Sequence, residues 1–96
     1  MSPKNKKKLD IIRKKLDKLD DKLLILIKNR TSLVKDVIKL KQYKKEIVDK
    51  KRINIILKKI KQKSKKLNID PQITYRIWKN MIWSYINYER KKFKKK

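Results

Sequence analysis

A single arginine interrupts an otherwise continuous apolar seam near the start of this chain. From Leu9 to Gln42 the sequence reads as one uninterrupted helix, with Leu9, Ile12, Leu16, Leu19, Leu23, Leu26, Leu33, Val37 and Leu40 recurring at spacings of three and four. Arg30 takes the slot between Leu26 and Leu33. Burying an unpaired guanidinium is strongly unfavourable, so an arginine in a seam is paired internally, reaches out to solvent along its stem, or faces an anion that arrives from outside. A helix of about 34 residues spans roughly 51 Å, which is too long for a compact globule of this chain length. Its seam therefore packs on another copy of itself or on later helices folded back over it.

The remainder of the chain contains no glycine and only two prolines, Pro3 and Pro71, which leaves little turn chemistry for a sheet. The expected class is all-α, with one long helix and two shorter ones. Residues 1–8 read as a disordered basic leader, residues 9–93 as one helical domain and residues 94–96 as a solvated basic tail. Gln42 to Val48 breaks the helical period and reads as a connection. Asp49 is the expected N-cap of a second helix running from Lys50 to about Leu67, with Ile53, Ile56, Leu57 and Ile60 facing inward. The run Asn68-Ile69-Asp70-Pro71 is the clearest punctuation: Asp70 caps and Pro71 opens a third helix, which extends to about Phe93. That helix carries a seam of Ile73, Ile77, Met81 and Tyr85, and beside it a row of Trp78, Ile82, Ile86, Glu89 and Phe93. Glu89 is the second anomaly, an acid placed among apolar neighbours.

The formal net charge of +24, from 33 Lys and Arg against 9 Asp and Glu, points to nucleic acid, an acidic membrane surface or another polyanion. A compositional explanation competes, because a chain rich in Lys, Ile and Asn is what an AT-rich genome writes at neutral surface positions. The absence of cysteine and histidine excludes disulfides, thiol nucleophiles, Ser-His-Asp hydrolysis and the usual zinc ligands. Asp10, Arg13 and Asp17 interrupt the stretch after the basic leader, so no signal-peptide apolar region follows it, and the run Leu23 to Ile27 is far too short to span a bilayer. A soluble cytoplasmic protein is expected.

Among so many lysines, the arginines are the informative cations. Only Arg13, Arg30, Arg52, Arg76 and Arg90 stand where lysine is otherwise preferred, which suggests a need for a planar, bidentate fork at some of them, and the first three are the strongest candidates. On a continuous helix Lys41 would follow Arg30 after about 1100° of rotation, so the two would project within about 20° of each other and roughly 16 Å apart. Two long side chains leaning together in that way can bracket a small dianion. Arg13 lies about 25 Å before Arg30 on the same helix and cannot share a small ligand with it inside one chain. In an antiparallel dimer, a partner helix can bring its own Arg13 alongside.

In these residues the chain resembles the all-helical class of chorismate mutases. The matching pattern is Leu9, Arg13, Asp17, Asp20, Leu23, Leu24 and Arg30, then Val34, then Lys41, then Val48, Asp49 and Arg52, followed by the third helix opened by Asp70. The resemblance covers nearly everything from Leu9 to Phe93. It implies an entwined three-helix homodimer with two equivalent sites, each taking Arg30, Lys41 and Arg52 from one protomer and Arg13 from the other. The implied catalytic residues are Arg30, Lys41 and Glu89. Arg13, Asp49, Arg52, Ile53 and Tyr85 complete the implied substrate contacts. The implied activity is the rearrangement of chorismate to prephenate in aromatic amino-acid biosynthesis, with no metal and no cofactor.

The physical chemistry suits a site without histidine or cysteine. The rearrangement is unimolecular, so the protein has only to hold the compact diaxial chair and stabilise negative charge developing on the ether oxygen as the C–O bond breaks. In such enzymes the arginines hold the two carboxylates, while Lys41 and the residue at Glu89 donate hydrogen bonds to that oxygen. Bacterial members usually carry glutamine at the Glu89 position and fungal relatives glutamate. To donate, Glu89 must hold its proton; the apolar neighbours Ile82, Ile86 and Phe93 oppose ionisation, whereas Lys41 and the arginines favour it.

Two positions depart from the bacterial pattern. Ile53 follows Arg52 where those enzymes have a glutamate that contacts the substrate hydroxyl, and Tyr85 stands where they have a small serine. An apolar residue after the arginine and a Tyr85-Ile86 pair look more like the related isochorismate pyruvate-lyases, which share the fold and form salicylate. A basic helical nucleic-acid-binding protein is the alternative of a different class. It has net charge in its favour but no reading motif and no stacking platform, so any nucleic-acid binding is expected to be non-specific.

Overall fold

The computed structural model describes residues 1–93, so the basic tail expected over residues 94–96 lies outside the described residues. Among the described residues there are three α-helices, α1 (Pro3–Leu40), α2 (Lys50–Lys66) and α3 (Pro71–Lys92), with a short 3₁₀ turn at Lys44–Glu46 and no strand. The all-α expectation holds, and no helix among these is long and apolar enough to cross a membrane. The chain divides into two compact units, Met1–Val34 and a second beginning at Lys35.

The first unit is helical from Pro3, so the leader expected to be disordered over residues 1–8 is instead part of α1. The reason is local. Ser2 accepts the Asn5 N–H on its Oγ at 3.2 Å and the Lys6 N–H on its carbonyl at 2.9 Å, while Pro3 occupies the first helical position, where its missing N–H costs nothing. The seam that dominates the sequence is exposed in the single chain: Leu26 is 62% accessible and Leu33 65%. No residue of α1 is buried. Arg30, Thr31 and Val34 are half-buried, and Thr31 bonds back to the Ile27 carbonyl at 2.7 Å.

The second unit holds the core. α2 and α3 form a hairpin in which Ile47, Ile82 and Ile86 are buried, with Val48, Ile53, Ile56, Leu57 and Phe93 packed against them. Of the two apolar rows on α3, the one carrying Ile82, Ile86 and Glu89 faces this core, while Ile73 and Ile77 of the other remain 55% and 53% accessible. At the far end of the hairpin the buried hydroxyls of Ser64 and Thr74 are 2.6 Å apart, and Ser64 also donates to the Ile60 carbonyl.

The hairpin turn solves the absence of glycine with asparagine. Asn68 has φ 57°, the left-handed region, and the bonds Ile69 N–H to Ser64 O at 2.9 Å and Asn68 N–H to Lys65 O at 3.2 Å close the end of α2 as a Schellman motif. Asp70 then caps α3 by accepting the Gln72 N–H at 2.9 Å, with Pro71 at the first position. Asn68→Ala is expected to lower the unfolding free energy by about 1 kcal/mol, because a Cβ without a local hydrogen-bonding group is disfavoured there, whereas Asn68→Gly should cost nothing. Urea denaturation of both variants measures this; equal losses would contradict it.

Candidate active site

Lys41 and Glu89 meet although 48 residues separate them. α1 ends at Leu40, two residues before the expected end, so Lys41 stands just beyond the helix and the wheel argument that aligned it with Arg30 does not apply to it. Its N–H bonds to the Ile38 carbonyl at 3.1 Å, and the chain then turns through Lys44–Glu46. That turn is closed by a reciprocal cap, with the Tyr43 N–H donating to Glu46 Oε1 at 3.2 Å and the Glu46 N–H to the Tyr43 carbonyl at 3.0 Å. It delivers Ile47 to the core as an apolar anchor, only 3% accessible.

The anchor positions the lysine. Lys41 Nζ donates to the Ile47 carbonyl at 3.5 Å and to both carboxylate oxygens of Glu89, at 3.4 and 3.3 Å. Glu89 sits on the buried row of α3 with its side chain 6% exposed, and that of Lys41 is 16% exposed. Isolated, either group would be costly to bury; paired, each supplies what the other requires. The acid placed among apolar residues in the sequence is therefore buried, as its neighbours implied.

Asp49 serves as the expected N-cap of α2, its carboxylate accepting the Arg52 N–H at 2.9 Å. The cap fixes the first turn of α2, from which the exposed Arg52 side chain projects and Ile53 packs back onto the core. An open depression of about 590 Å³ is lined by Lys41, Glu46, Val48, Asp49 and Lys50, a volume within the range of small-molecule sites. Tyr85 is half-buried on α3, one turn before Glu89. Arg13, exposed, and Arg30, half-buried, belong to the first unit.

Two features of this region escape sequence reasoning. Glu46 both closes the turn and lines the depression, and the Ile47 carbonyl accepts from the lysine. The signal for them is faint: Ile47-Val48 is a β-branched pair in a charged connection, which marks an apolar anchor point. Chemically, a half-buried ammonium paired with a buried carboxyl, at a depression that Lys50 also lines, can bind a small anion and place two hydrogen-bonding groups at one point.

The chain matches chorismate mutase type II over residues 12–90. It is similar to a chorismate mutase of Methanocaldococcus jannaschii, 41% identical over 76 residues that cover 78% of this chain and 77% of that protein. No solved structure matches it significantly.

Proposed function

The chain belongs to the chorismate mutase type II family and is an isomerase that converts chorismate to prephenate, and we propose that it does so in the cytoplasm in sites shared between two copies of the chain. The observation that carries the site reading is the buried pair of Lys41 and Glu89. Two groups 3.3 Å apart can both reach one oxygen set beside them, and the reaction needs that at the ether oxygen alone.

In this reading Arg30 and Arg52 of one chain and Arg13 of its partner hold the two carboxylates of chorismate, fixing the compact chair and converting lost rotational freedom into rate. Lys41 and the Glu89 carboxyl group both face the ether oxygen, so that negative charge developing as the bond breaks meets a donor already in place. Asp49 orients Arg52 by capping α2, and Ile53 and Tyr85 form apolar and aromatic walls. No proton is transferred in the rearrangement, so none of these groups acts as a base.

The bare α1 seam supports a second copy as its cover. Three buried isoleucines contribute roughly 1.5–3 kcal/mol each, a small core for a chain of this length, whereas α1 exposes Leu16, Leu19, Leu23, Leu26, Leu33 and Val37 along one stripe. An arginine in that stripe then meets an anion at a junction between chains. Incubation of the purified protein with chorismate should consume it at a rate far above the uncatalysed one, with prephenate as product. Pyruvate released from isochorismate, with chorismate untouched, would transfer the reading to the lyase.

A further inference from the structure

The proposed catalysis uses one cation of α2, Arg52, and leaves the rest of that helix's charge unexplained. Nine of its 17 residues are lysine or arginine and none is acidic. All nine are exposed, and among the described residues no ion pair involves any of them. α1 differs, with five aspartates interspersed among its cations. On α2, like charges stand three and four apart at Lys58, Lys61 and Lys65 and at Lys59, Lys63 and Lys66, spacings that oppose the helix until an anion neutralises them.

The charge is also linear. Lys51, Lys58 and Lys65 recur every seven residues, and with Lys61 they fall within about 80° of the helix circumference over roughly 21 Å of its length. A nucleic-acid duplex carries about twelve phosphate charges over that distance. A lipid surface is the poorer match, because a helix lying on a membrane inserts an apolar face, and on α2 that face is already taken: Ile53, Ile56 and Leu57 pack against the core. We propose that the outer face of α2 binds the phosphodiester backbone of nucleic acid, without sequence preference, through Lys51, Lys58, Lys61 and Lys65. This surface is separate from the chemistry and does not depend on it.

The test compares two full-length variants of equal net charge by fluorescence anisotropy with a short labelled DNA duplex across a salt series. Lys58→Gln/Lys61→Gln/Lys65→Gln removes the stripe, and Lys14→Gln/Lys18→Gln/Lys22→Gln removes three cations from α1. The α2 variant is expected to bind at least about tenfold more weakly at moderate salt and to lower the slope of log affinity against log salt by about 2 to 3, whereas the α1 variant follows the unmodified protein. Unaltered helical circular dichroism in both variants excludes misfolding. Equal weakening in the two would show that net charge alone is responsible and overturn the proposal. So would absence of duplex binding, or binding confined to vesicles of anionic lipid.

Discussion

Arg30→Lys is expected to lower kcat/KM almost as far as Arg30→Ala. In the proposed site Arg30 grips a carboxylate with two parallel N–H donors, and each charge-assisted bond of this kind contributes about 1.5–3 kcal/mol. Losing both costs about 3–6 kcal/mol of transition-state stabilisation, or roughly two to four powers of ten in rate. Lysine keeps the charge but presents it as a strongly hydrated point on a flexible stem, so it restores attraction without geometry. The half-buried setting of Arg30 on α1 sharpens the difference, because a fork held by packing loses less entropy on binding than a free ammonium. Steady-state kinetics on chorismate for the two variants measure this. Near-normal turnover in the lysine variant would show that Arg30 supplies charge alone.

Glu89→Gln is expected to retain or raise activity on chorismate. A carboxylate beside the ether oxygen would repel the charge developing there, whereas a side-chain amide in its place donates a hydrogen bond to it. Glutamine donates at every pH, and its carbonyl still accepts from Lys41, so the substitution leaves no buried group without a partner. Glu89→Ala and Lys41→Ala are poorer probes, since either strands the other member of a buried pair at a cost of about 3–5 kcal/mol to the fold. Steady-state kinetics measure this, and a large loss of turnover in the glutamine variant would contradict a hydrogen-bonding role for Glu89 at the ether oxygen.

The secondary structure was readable because local signals and local outcomes agree at Asp49, Asp70 and Pro71, where capping chemistry acts over three residues. The start of α1 shows the same rule in reverse. The apolar seam starts at Leu9, yet Ser2 and Pro3 set the helix six residues earlier by capping, which needs no apolar seam. On α3 two apolar rows have equal periodicity, and periodicity alone cannot choose between them; the choice falls to what α2 and Ile47 bring opposite, which is a tertiary fact. Glu89 was visible as an acid in an apolar row. Its partner could be anticipated only through family resemblance, because contact between residues 41 and 89 depends on where α1 stops and how the 3₁₀ turn carries the chain back.

The proposed site is completed by a second chain, and mixing two inactive variants tests that directly. Arg13→Ala and Arg30→Ala should each be nearly inactive as homodimers. In a heterodimer, the site built on the chain that keeps Arg30 receives Arg13 from its partner and is intact, while the other site lacks both. Refolding the two chains together in equal amounts makes half of the dimers mixed, each with one working site, so the mixture should recover roughly a quarter of wild-type activity. Heterodimers that form, as seen by differential tagging, but show no more turnover than the separate variants would contradict the shared site.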